Sequence, residues 1–161
     1  MSENSNPVIV IPARMGSRRL PGKPLLDIAG APMIVQVWRR AVEAELGPVL
    51  VACAEAEIAA AVEAAGGRAL MTDPDLPSGS DRVFAALEAF DPKGAHDVVV
   101  NLQGDLPTVA PADIRAATRS TQGPASTPAW WRSWAMALAP EPRLMMTVTS
   151  PARGPGPLNC E

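Results

Sequence analysis

The stretch Val8-Ile9-Val10-Ile11-Pro12-Ala13-Arg14-Met15-Gly16-Ser17-Arg18-Arg19-Leu20-Pro21-Gly22-Lys23-Pro24-Leu25 decides the fold. Its first four residues form an uninterrupted apolar run, the pattern of a strand buried on both faces. Arg14, Arg18, Arg19 and Lys23 follow, with Gly16, Ser17 and Gly22 among them and a proline on either side of Gly22-Lys23. Concentrated positive charge on a loop leaving a buried strand is where an α/β sheet binds phosphate. Arg offers a planar fork of donors and Lys a mobile point charge, so together they reach a triphosphate from several directions. Gly16 and Gly22 let backbone N–H groups come close to an anion. The loop is not a Walker A loop, because Gly22-Lys23 is followed by Pro24 and not by Ser or Thr opening a helix. Leu25 to Gly30 reads as a short extended segment and a turn.

Outward from this stretch, strands and helices alternate. Met33 to Ala44 is predicted as an amphipathic helix, with Ile34, Val37, Trp38, Ala41 and Val42 on one face and Gln36, Arg39, Arg40 and Glu43 on the other. Pro32 suits its first turn. Pro48 to Cys53 reads as a second buried strand. Glu55 to Ala65 reads as an alanine-rich helix stopped at Gly66-Gly67, with Glu55 and Glu57 favouring its positive end. Arg68 to Met71 is a short third strand. Ser80 to Phe90 is a helix, with Ser80 as its N-cap. Asp97 to Leu102 is a fourth strand, and Pro111 to Arg119 a helix. Apolar strands separated by helices predict an α/β fold with a mostly parallel sheet covered on both faces. Ligands of such sheets sit at the carboxyl ends of the strands. Three segments lie just beyond strand ends: Arg14 to Lys23, Ser78 to Arg82, and Gln103 to Asp105.

These residues carry a family resemblance. Pro12-Ala13-Arg14 through Lys23-Pro24-Leu25, Ser78-Gly79-Ser80-Asp81-Arg82, and Asn101-Leu102-Gln103-Gly104-Asp105-Leu106-Pro107 together resemble the sugar-acid cytidylyltransferases. The match is to the 3-deoxy-manno-octulosonate (Kdo) cytidylyltransferase, or CMP-Kdo synthetase, family and runs from about Val8 to about Arg119. Arg18 and Leu106 depart from that pattern. The resemblance implies a Rossmann-like, glycosyltransferase-A-like nucleotidyltransferase fold. It also implies transfer of CMP from CTP to Kdo, with release of pyrophosphate, for lipopolysaccharide biosynthesis. Arg14, Arg19 and Lys23 would be the catalytic cations, clamping the β- and γ-phosphates. Pro12, Ala13, Gly16, Ser17, Ser78, Gly79, Ser80, Arg82 and Gln103 would complete the nucleotide site, the Ser78 segment reading the cytosine. Asp105 would hold Mg²⁺. A structural alternative for the Ser78 segment has Ser80 capping the helix and Arg82 paired with Asp81 or Glu88. The competing functional readings are a non-catalytic nucleotide-binding fragment, a CMP-sialate-type synthetase or a cofactor guanylyltransferase.

The bulk properties set outer limits. A chain of 161 residues, 47% hydrophobic, suits one domain with a real core. A net charge of −3 opposes a general nucleic-acid binder, so the basic loop is a local site. Cys53 and Cys160 have no metal-binding spacing. Cys53 is expected as a buried thiol, in keeping with a reducing cytoplasm. His96 is expected on a surface loop. No apolar run approaches a membrane span.

Residues 1–7 read as a disordered lead-in and 8–119 as the nucleotide-binding domain. Residues 120–161 read as an aberrant tail, with Trp130, Trp131 and Trp134 among frequent prolines and few charges. No regular element is expected there, and the composition suggests a frameshift product. The resemblance implies a longer chain whose second half supplies the acceptor site, a second metal ligand and the homodimer interface.

Overall fold

The apolar run at Val8 grows at both ends into strand β1, Pro7–Ala13, every residue of which is buried in the computed structural model. The structure describes residues 5–16, 20–119 and 144–148. Pro12 and Ala13, expected in the loop, continue the strand. Pro12 and Ala13 pair alongside Ala52 and Cys53. The other strands are β2 (Asp27–Ile28), β3 (Ala31–Pro32), β4 (Val49–Cys53), β5 (Arg68–Met71), β6 (Val98–Leu102) and β7 (Leu144–Val148). The helices are α1 (Met33–Glu43), α2 (Ala56–Ala64), α3 (Gly79–Phe90) and α4 (Pro111–Arg119). Among the described residues, the main sheet runs in the order β5-β4-β1-β6-β7. All of its pairings are parallel. The short β2–β3 hairpin is a separate antiparallel pair.

Side chains alternate across the sheet with period two, and the core divides accordingly. Ile9, Ile11, Val51, Val100 and Leu102 face α1, α2 and α4, meeting Ile34, Val37, Ala41, Ile58, Val62 and Ile114. Val8, Val10, Leu50, Ala52 and Val99 face α3, meeting Val83, Ala86 and Leu87. The sheet is thus covered on both faces, the Rossmann-like arrangement expected. Fully buried aliphatic side chains such as Ile34 and Leu87 each stabilise the fold by about 1.5–3 kcal/mol relative to exposure.

Three expectations change. On α1 the apolar stripe is shifted: Val35 is buried and Val42 is exposed. Val35, which the periodic pattern assigned to neither face, packs into the core between the sheet and the helices. The N-cap of α3 is Ser78, whose Oγ accepts the Asp81 N–H at 3.2 Å, so the helix begins before Ser80. Leu144–Val148, in the region expected to lack regular structure, is a strand paired in parallel with β6. Met145 and Met146 are buried there, one on each face of the sheet. A proline-free segment with four apolar residues among five can form a strand whatever precedes it. The remainder of the proline-rich tail, with its tryptophans and Cys160, lies outside the described residues.

Cys53, at the end of β4, is fully buried as expected. Burial, reinforced by the charge of Glu55, raises its thiol pKa from 9.0 to about 11. The native state therefore favours the protonated thiol, and stability is complete below pH 9 and lost as pH rises through about 11. Cys53→Ala should flatten that part of the alkaline limb. The difference between wild-type and variant unfolding free energies, followed by urea denaturation from pH 8 to 11, checks it.

Candidate active site

The parallel register brings the carboxyl ends of β1, β4 and β6 to one edge, where a cleft of about 750 Å³ opens. Pro12, Ala13, Arg14, Gly16, Lys23, Gly79, Arg82, Gln103 and Asp105 line it, together with Pro24, Pro77 and Gly104. Residues from all three segments singled out in the sequence therefore meet. Ser78 and Ser80 are not among the lining residues, and Ser78 is committed to capping α3. Ser17, Arg18 and Arg19 lie outside the described residues.

The basic loop is built by local backbone bonding. Gly22 takes the left-handed conformation (φ 73°, ψ 9°) ahead of a single 3₁₀ turn, Lys23–Leu25. A β-carbon is disfavoured in that conformation. The Gly22 N–H donates to the Met15 carbonyl at 3.3 Å, closing the loop on itself. Lys23 then leaves the turn toward Asp105, and its Nζ lies 2.9 Å from Asp105 Oδ2. Both side chains are substantially exposed, at 34% and 54%. Such a pair contributes little to stability, so an arriving anion or cation separates its members at small cost. Arg14 is exposed at the other end of the loop.

Asp105 is held in place by its neighbours. A β-carbon on Gly104 would meet the Pro12 carbonyl oxygen at 2.7 Å, so only glycine lets this turn press against β1. The Gln103 Nε2 donates to Asn101 Oδ1 at 3.2 Å, which anchors the Gln103 amide over the end of β6. Pro24, Pro77 and Gly104 line the cleft as well, without a site role assigned from the sequence. Pro24 and Gly104 lie inside the quoted motifs, whereas Pro77 carries no chemical signal of its own.

Arg82 reaches the cleft from beneath. It is 1% exposed, and its Nη1 donates to Thr72 Oγ1 at 2.5 Å and to the Asp73 carbonyl at 3.1 Å. Thr72 in turn donates from Oγ1 and from its N–H to the Cys53 carbonyl. The chain of bonds ties α3 to the ends of β4 and β5. Pairing with Asp81 or Glu88 is therefore replaced by pairing with the segment after β5. The Nη2 atom is buried without a partner among the described residues. Burial lowers the Arg82 pKa below the usual guanidinium value; the Glu55 charge opposes that shift and Arg14 adds to it. His96 is half-buried away from the cleft, stacked on Phe90.

Glu55 lay outside the sequence-based site. Its Oε1 accepts the Met15 N–H at 3.0 Å, joining the basic loop to the start of α2. Nothing in local sequence distinguishes such a carboxylate from one that merely favours a helix N-terminus.

Residues 8–127 match the family model described as cytidylyltransferase. A 3-deoxy-manno-octulosonate cytidylyltransferase of Rhodospirillum rubrum is 73% identical over 108 residues, covering 67% of this chain and 43% of the relative. One from Parvibaculum lavamentivorans is 67% identical over 112 residues, covering 70% and 43%. A solved CMP:2-keto-3-deoxy-manno-octonic acid synthetase complexed with CTP superposes with TM-score 0.68 at 42% identity, over 77% of this chain and 50% of that one. A nucleotidyl transferase from Methanothermobacter thermautotroptrophicus superposes with TM-score 0.61 at 25% identity, over 73% and 58%. The chain thus spans less than half the length of these curated relatives.

Arg82→Met should remove the donors to Thr72 and Asp73 while keeping much of the side-chain volume. The unfolding free energy should fall by about 2–3 kcal/mol, measured by urea denaturation. A variant as stable as wild type would show that the Thr72 network contributes nothing.

Proposed function

The chain belongs to the cytidylyltransferase family, and from that premise we propose that its cleft binds CTP in an Mg²⁺-dependent enzyme that forms CMP-Kdo for lipopolysaccharide assembly. Because the chain covers 43% of the length of the Rhodospirillum and Parvibaculum relatives, transfer to Kdo is proposed for the whole protein and nucleotide binding for the cleft. The observation that carries the reading is the meeting of Arg14, Lys23, Gln103 and Asp105 around one opening.

In the proposed reaction a hydroxyl oxygen of Kdo attacks the α-phosphorus of CTP. The bond to the bridging oxygen breaks, pyrophosphate leaves with the electron pair, and the hydroxyl proton is released. Catalysis of such a step is mostly positioning and charge neutralisation. Arg14 and Lys23 hold the β- and γ-phosphates and offset charge on the leaving group, with Arg19 assigned the same part from the family pattern. Gly79, Arg82 and Gln103 face the nucleoside, where the Gly79 backbone permits close approach.

The donors suit a hard cation. Asp105 presents an exposed carboxylate whose Oδ2 is held by an exposed lysine, beside room for phosphate oxygens. Among the described residues no group of three or more His, Cys, Asp or Glu side chains gathers. Mg²⁺ held by one carboxylate and the substrate phosphates fits that arrangement. When bound, the ion supplies further neutralisation of phosphate charge. Asp105 would hold the ion, and Lys23, its partner in the structure, would serve the phosphates. Among the described residues no helix is long and apolar enough to cross a membrane. The whole protein is proposed to work in the cytoplasm as a homodimer.

Calorimetric titration with Mg·CTP and Mg·GTP tests the base. Binding of CTP alone is expected, and preference for GTP would move the assignment to a guanylyltransferase. Mass-spectrometric detection of CMP-Kdo from CTP and Kdo tests transfer. Nucleotide binding without product would assign this chain to binding alone. Lys23→Ala should weaken Mg·CTP binding by about tenfold or more, and an unchanged affinity would remove Lys23 from the phosphate site.

A further inference from the structure

Glu55 occupies the N-cap position of α2 with an extended backbone (φ −117°, ψ 139°), yet its side chain makes no capping hydrogen bond. The carboxylate instead crosses to the basic loop, 40 positions away in sequence, and accepts the Met15 N–H at 3.0 Å. Met15 is consequently held on both sides of its backbone. Its N–H is bound by Glu55, and its carbonyl receives the Gly22 N–H at 3.3 Å. The first bond joins the loop to the sheet's scaffold, and the second closes the loop. Three cleft-lining residues are immediate chain neighbours of these tied groups: Arg14 and Gly16 flank Met15, and Lys23 follows Gly22.

The second carboxylate oxygen, Oε2, is buried and has no hydrogen-bond partner among the described residues. A helix could be capped by Ser, Thr or Asp at that position without such a cost. Burying a carboxylate with one unmatched oxygen is unfavourable. Its reach fits the tie to Met15 better than support of α2. Its charge also acts on Arg82, against the effect of Arg14. It therefore offsets cationic repulsion in the floor of the cleft.

We propose that Glu55 is a positioning residue for nucleotide binding: by holding the Met15 N–H it sets the path of the basic loop, and so the placement of Arg14, Gly16 and Lys23 around a bound triphosphate. The proposal rests on the nucleotide-binding reading above.

The test compares wild type, Glu55→Ala and Glu55→Gln by hydrogen exchange of the Met15 amide and by Mg·CTP titration. Met15 exchange should speed up by about tenfold in Glu55→Ala, while amides of β1 and β6 stay protected. Mg·CTP affinity should fall by a similar factor. Glu55→Gln keeps an oxygen acceptor and should recover most of both. Unchanged Met15 exchange in Glu55→Ala would overturn the proposal, as would faster exchange with undiminished affinity. If wild type fails to bind Mg·CTP, the nucleotide reading and the role built on it both fail. Faster Met15 exchange in Glu55→Ala would then still establish the loop tie by itself.

Discussion

The site depends on β1 being buried on both faces and paired on both edges. Its apolar residues leave no solvent-tolerant side, so helices must cover the sheet above and below. Its neighbours β4 and β6 run in the same direction. The parallel strands therefore send their following segments to one edge, where Arg14, Gly79 and Arg82, and Gln103 with Asp105 line the same cleft. No one of these segments could assemble the cleft by local interactions.

Two kinds of polar contact share that rim, and their energetics differ. The bonds from Arg82 to Thr72 and Asp73, and from Thr72 to Cys53, are largely withdrawn from water. Breaking them leaves buried groups unmatched, which is costly. They make a stiff floor. The Lys23–Asp105 pair above them is exposed and weakly coupled. A rigid base with exchangeable charges at its mouth suits the proposed binding of a triphosphate without reorganising the fold.

Much of this was legible in the chain. Period-two and period-3.6 patterns located the elements to within a few residues, and the positions of Arg14, Lys23, Gln103 and Asp105 after buried strands indicated a common site. The limits were physical. Val42, placed on the apolar face by its spacing, is exposed and Val35 is buried, because burial on α1 depends on what packs against it. Ser78 and Ser80 are equally good caps by composition, and the Ser78 conformation with its bond to Asp81 selects between them. Leu144–Val148 becomes a strand because the open edge of β6 offers it hydrogen bonds and apolar cover. Its proline-rich surroundings concealed that opportunity.

Local periodicity and residue types at set spacings already carried the parallel α/β class, the concentrated basic loop and the family resemblance. The long-range packing added the rest: Arg82 as a buried tie between α3 and Thr72, Gly104 as the glycine that passes Pro12, and Glu55 reaching Met15. Each of those facts concerns two groups far apart in the chain. Their meeting is set by strand register and helix packing, which local sequence does not encode.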